Sequence, residues 1–139
     1  MTTKEILKMT NNLHLLYVED DLSMRETSVE LFKNFFTQIT TAVDGVDGLE
    51  EYESDSFDII VTDISMPRMD GIELIKKIRA KDKDIPIIVY SAWNEPSYMA
   101  ECISMNVDGY LLKPMQIKNI MEVLEKILAR LLYSPKIGQ

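Results

Sequence analysis

The sequence predicts a doubly wound α/β domain, and three observations carry that prediction. Short apolar runs recur along the chain, stretches of helical periodicity separate them, and turn dipeptides fall at the joints. The runs are LHLLYV (13–18), ITTAV (39–43), FDIIVT (57–62), IPIIVY (85–90) and DGYLLK (108–113). Runs apolar at successive positions belong to strands buried on both faces. Strict alternation of such strands with helices gives a parallel sheet covered on both sides.

The elements follow in order. Residues up to Asn12 either add a helical turn or stay frayed, an N-terminal extension (1–12) to a domain expected over 13–133, with 134–139 a tail or the start of a linker. After the first strand, Asp21 is placed to cap a helix in which Val29, Phe32 and Phe36 share one face. Asp44-Gly45 follows the second strand as a turn dipeptide, and Asp70-Gly71 precedes a helix with Ile72, Ile75 and Ile78 at helical spacing. Pro96 suits a first helical turn after the fourth strand. The last helix is expected from about Ile117 to Leu132, with Ile117, Ile120, Leu124, Ile127, Leu128 and Leu131 as its apolar stripe.

Composition narrows the function classes. At 139 residues, 46% of them hydrophobic and 27% charged, the chain has material for one core. Fifteen Lys and Arg against 23 Asp and Glu leave a net charge of −8, which opposes direct binding to nucleic-acid phosphates or anionic lipid. Cys102 is the sole cysteine, so no intrachain disulfide or multi-cysteine metal site can form; it is expected to be a buried residue in a reducing compartment. No apolar run approaches the roughly 20 residues of a membrane span, and the first residues lack the apolar stretch of a secretory signal. A cytoplasmic location is the expectation.

In an open parallel sheet the functional crevice lies at the carboxyl ends of the strands. Glu19, Asp20 and Asp21 follow the first strand, Asp63 the third, Ser91 the fourth and Lys113 the fifth. Crowded carboxylates repel one another and invite a hard divalent cation, and Mg²⁺ takes one or two carboxylates together with a phosphate oxygen. A lysine and a hydroxyl beside them can hold further phosphate oxygens, and an aspartate can act as nucleophile. The set points to phosphoryl transfer.

These residues lie in four blocks, LLYVEDD, VTDISMPRMDG, VYSA and DGYLLKP, whose order and spacing resemble the receiver domain of two-component response regulators, of the chemotaxis-regulator kind, across roughly residues 13 to 132. The resemblance implies a flavodoxin-like five-stranded sheet of order 2-1-3-4-5. It implies Asp63 as phosphoacceptor, Asp20 as a direct Mg²⁺ ligand, Glu19 as a ligand through water, and the Ser65 backbone carbonyl completing the protein's share of the shell; Mn²⁺ or Ca²⁺ can substitute. Ser91 would hold a phosphoryl oxygen and Lys113 would pair with the acceptor carboxylate or its phosphate. On phosphorylation Ser91 would move toward the phosphate, Tyr110 would turn inward, and the face made by the helix after the fourth strand, the fifth strand and the last helix would change shape. The Lys113-Pro114 bond is often cis in the family. The donor would be a sensor histidine kinase or a phosphotransfer protein, the recipient of the signal an output domain or protein that the sequence does not name, and a homodimer through the last helices is compatible with it. Such a domain is a switch rather than an enzyme, catalysing only its own phosphorylation and dephosphorylation.

Several of these residues also have a purely structural role open to them. Asp21 reads best as a helix cap and His14 as a structural histidine, while a strand tyrosine such as Tyr110 is ordinarily packing. The nine methionines read as core filler. Glu19 stands where the family often has aspartate and Ser91 where threonine is frequent. Trp93 is bulky for its place, and with Ser65 it is expected to hinder the attacking water and lengthen the phosphorylated state, so Trp93→Ala should shorten it. Three rivals are disfavoured. An aspartyl phosphatase of the haloacid dehalogenase type would need a second aspartate where Ser65 stands, a flavodoxin-like cofactor carrier would need a phosphate-cradling loop after the first strand, and a phosphate-independent receiver would lack some of the positions that are complete here.

Overall fold

The computed structural model describes residues 1–92 and 96–133. The strands are β1 (His14–Val18), β2 (Gln38–Ala42), β3 (Ile59–Thr62), β4 (Ile87–Ser91) and β5 (Gly109–Leu112). The helices are α1 (Thr3–Thr10), α2 (Leu22–Phe32), α3 (Gly45–Ser54), α4 (Gly71–Arg79), α5 (Pro96–Ser104) and α6 (Ile117–Tyr133). All the strands are parallel, in the order β2-β1-β3-β4-β5. This is the doubly wound sheet that the sequence pattern predicted, in the order that the receiver resemblance implied.

Side chains on successive strand residues point to opposite faces, so one strand feeds two cores. Leu15, Tyr17, Ile59, Val61, Ile88 and Tyr90 meet Phe32 of α2 and Ile120, Leu124, Ile127 and Leu128 of α6. Leu16, Val18, Ile60, Ile87 and Val89 meet Leu74, Ile75 and Ile78 of α4 and Cys102 of α5. Central strands are therefore apolar except at their ends, where His14, Thr62 and Ser91 stand, whereas the edge strand β2 buries fully only Ala42. The sole cysteine is buried, and of the nine methionines only Met1 is exposed.

Residues 1–12, left open between an added turn and a frayed end, supply the helix α1. Thr2 and Glu5 form a reciprocal capping box, and Ile6 is buried at the seam with α6. Asp21 caps α2 by accepting from the Met24 N–H at 2.7 Å. Phe36, assigned to the face of that helix, lies beyond its end at Phe32 but is still buried, because the chain folds back into the same core. Ile117 and Leu131, assigned to the buried stripe of α6, are 52% and 44% exposed; they sit in its terminal turns, which overhang the core covered by the middle turns.

Candidate functional site

The strand order reverses beside β1, whose neighbours are β2 and β3, and the carboxyl ends of β1 and β3 flank the crevice this creates. The backbone places Glu19 and Asp63 side by side there. Glu19 N donates to the Ala42 carbonyl at 3.0 Å and Asp63 N to the Val18 carbonyl at 3.1 Å, extending the ladder past the strands. The Glu19 residue is wholly buried and Asp63 is 7% exposed, whereas Asp20 faces solvent.

Lys113, which follows β5, reaches back across both. Its ammonium donates to Asp63 Oδ2 at 2.8 Å and makes a closer contact with Glu19 Oε1. Asp63 Oδ1 accepts the Ile64 N–H at 2.7 Å, and Glu19 Oε2 accepts the Asp21 N–H at 3.3 Å. Burial raises the Glu19 carboxyl pKa, with the hydrogen bond from Lys113 acting the other way. For Lys113 burial acts downward, but the hydrogen bonds to Asp63 and Glu19 outweigh it and its pKa lies above the ordinary lysine value.

Ligand oxygens of Glu19, Asp20 and Asp63 all lie within 4.8 Å of one another. Oxygens on one octahedral Mg²⁺ are at most about 4.2 Å apart, twice the ~2.1 Å bond, so this all-oxygen set fits a hard divalent cation after a small adjustment. Ser65 is exposed in the loop after β3. That loop is fixed at both ends. A Cβ on Gly71 would lie 2.0 Å from the Asp63 carbonyl oxygen, so only glycine lets α4 start directly beneath the acidic strand end. Farther out, Arg68 adopts φ 65° and its guanidinium holds buried Asp44 in a two-point ion pair at 2.6 and 3.0 Å, which offsets the cost of the left-handed backbone.

The remaining predicted residues arrive at the same edge. Ser91 is the last residue of β4 and fully buried, and its carbonyl accepts the Lys113 N–H at 2.9 Å. Tyr110, half-buried in β5, has its phenol pKa raised by burial, against which a hydrogen bond with Ser91 acts. The Lys113-Pro114 peptide is cis. His14 is structural, bonded through its two ring nitrogens to the Ser56 carbonyl and Thr40 Oγ1 at 2.9 and 2.8 Å. Trp93 lies outside the described residues, as does the tail 134–139.

One residue beside the acidic pair escaped the sequence reading. Arg25 of α2 donates to the Glu19 carbonyl at 2.8 Å and holds the β1–α2 turn. An arginine six residues after Glu19, one helical turn into α2, was the available signal.

A parallel sheet of this order with acids, a hydroxyl and a lysine at its carboxyl edge is the arrangement expected of a receiver domain, and comparison with known proteins assigns the chain to that class. The family model for the response regulator receiver domain matches residues 15–125. Chemotaxis protein CheY-3 of Vibrio cholerae is 33% identical over 126 residues, covering 88% of this chain and 97% of its own. The N-terminal domain of an uncharacterized protein (WS1339) from Wolinella succinogenes superposes with TM-score 0.78 at 34% identity, over 86% of this chain and 97% of that one. CheY in the CheX-CheY-BeF3-Mg complex of Borrelia burgdorferi has TM-score 0.77 at 25% identity, over 84% and 89%. The chain belongs to the response regulator receiver family.

Proposed function

We propose that this receiver takes a phosphoryl group on Asp63 from a phosphohistidine of a sensor histidine kinase or phosphotransfer protein and relays the event to a partner or output domain. The observation that carries the proposal is the Lys113 ammonium bridging Asp63 and Glu19 beside the three-carboxylate cluster. A bound Mg²⁺ would supply Lewis-acid neutralisation of phosphoryl charge, held by Asp20 and Asp63, by Glu19 through water and by the Ser65 carbonyl. An Asp63 carboxylate oxygen forms the new O–P bond as the donor's N–P bond breaks. Lys113 holds a phosphoryl oxygen and keeps the buried carboxylates from repelling the incoming group. The Ser91 hydroxyl binds another, and because Tyr110 is linked to Ser91, its movement would free Tyr110 to turn inward and reshape the α5–β5–α6 face.

The domain works as a switch acting on itself, in the cytoplasm; among the described residues no helix is long and apolar enough to cross a membrane. In the Borrelia complex a CheY domain is seen with a protein partner, which supports partner binding here. Incubation with acetyl phosphate and Mg²⁺ should add one phosphoryl group to the wild type, seen by mass spectrometry, and none to Asp63→Asn. Persistent labelling of Asp63→Asn would move the acceptor elsewhere, and efficient multiple turnover of external phosphoesters would make the chain a phosphatase.

A further inference from the structure

Tyr90 is the penultimate residue of β4, next to Ser91, and 2% exposed. Core packing alone would require only its ring. Its hydroxyl does more, accepting the Met115 N–H at 2.9 Å, two residues past Lys113, and donating to the Met24 sulfur at 3.9 Å, next to the Arg25 that holds the Glu19 carbonyl. The Lys113 ammonium lies 5.6 Å from the centre of the Tyr90 ring, within the roughly 6 Å over which a cation is attracted to an aromatic face. One buried side chain therefore touches the lysine, the loop that presents it and the helix that follows the acidic pair.

We propose that Tyr90 is a positioning residue for phosphoryl transfer, its ring and hydroxyl together fixing the Lys113 ammonium between Glu19 and Asp63. This rests on the function proposed above. A lysine side chain has several rotatable bonds, and an ammonium that must contact two buried carboxylates and then a phosphoryl oxygen gains from a fixed backbone and a ring that limits its swing. The residues on either side of Pro114 are both anchored to the end of β4, since Lys113 N donates to the Ser91 carbonyl and Met115 N donates to Tyr90.

The test is a double-mutant cycle on the rate of labelling by acetyl phosphate and Mg²⁺, using Tyr90→Phe, Lys113→Met and the pair. Tyr90→Phe keeps the ring and the packing, so its thermal midpoint should stay near that of the wild type. Its labelling should slow about fivefold, the scale of one lost neutral hydrogen bond. In the Lys113→Met background the same change should have no further effect, because Tyr90 acts through the amine. Amide hydrogen exchange, measured without metal, should quicken at Met115 in Tyr90→Phe. Tyr90→Leu, which loses the ring as well, should be slower than Tyr90→Phe. Equal rates for wild type and Tyr90→Phe, or equal losses in both lysine backgrounds, would overturn the inference while leaving the acceptor role of Asp63 intact. A wild-type protein that takes no label would overturn both.

Discussion

At the amino ends of the strands Asp108, 8% exposed, accepts the Arg130 guanidinium at 2.9 and 3.2 Å and the Ile87 N–H at 3.0 Å. At the carboxyl ends Asp63, 7% exposed, shares a single ammonium with Glu19, and Asp20 stands beside them. The neighbouring guanidiniums are engaged by backbone carbonyls at both ends, so the difference lies in the carboxylates. Arg79, near Asp108, closes its end by donating to the carbonyls of Asp82, Ile85, Met105 and Asn106. Arg25, beside the acidic pair, likewise donates to the backbone carbonyls of Glu19 and Asp20. One end of the sheet is a closed network in which each buried charge has its partner. The other carries more carboxylates than the one ammonium they share, an excess of negative charge that a folded core gains nothing by keeping and that marks it as the candidate functional site.

The sharpest way to break that contrast is to make one substitution at both ends. Asp108→Asn should cost about 2–3 kcal/mol in urea unfolding, because it leaves the Arg130 guanidinium without its anion. Asp63→Asn, measured without divalent metal, should fall within about 1 kcal/mol of the wild type and on the stable side, since it relieves repulsion with Glu19. Equal destabilisation at the two positions would refute the distinction. Next in size, free Mg²⁺ at ten times its Kd should add about 1.4 kcal/mol to the wild type, and clearly less to Asp20→Asn. Unfolding midpoints across a Mg²⁺ titration read this directly.

The smallest expected effect lies in the loop after β3, from which one buried carboxylate at the acidic end does receive its own cation. Hydrogen bonds from Arg68 hold the Asp44 carboxyl below its usual 3.8. The unfolded chain then binds that proton more readily than the folded one, so the contribution is in place above pH 3.8 and is lost as pH falls through the lowered value. Arg68→Ala should remove it, leaving a small deficit at neutral pH that disappears in strong acid; a deficit equal at all pH values would assign the loss to packing instead.

What the sequence made legible divides along a physical line. β1, β3 and β4 could be read directly because burial on both faces keeps all but their end residues apolar, and the Asp21 cap because its hydrogen bond is local. The acidic pair, Asp63, Ser91 and Lys113 were legible because each ends or follows a strand and parallel strands bring their ends together. The pairing of Arg68 with Asp44, of Tyr90 with Met115 and of Lys113 with Glu19 was not, since such contacts depend on side chains that meet only in the assembled fold. The periodicity through Val29, Phe32 and Phe36 ran past the true end of α2 for a related reason: a turn can deliver a residue to the core as well as a helix can. For α1 the capping box at Thr2 and Glu5 was available as a signal, but a helix this short is settled by its packing on α6 rather than by its own propensity.

The Lys113 bridge also has a meaning in time. Its partners lie 50 and 94 residues away along the chain. Closing loops of that length comes late, after local helices and neighbouring strands have formed. No portion of the chain ending before β5 can assemble the bridge, so competence to take phosphate should arrive only with the docking of the last strand. A half-made receiver would then be silent, and phosphoryl uptake during refolding would serve as a clock for the final step of assembly.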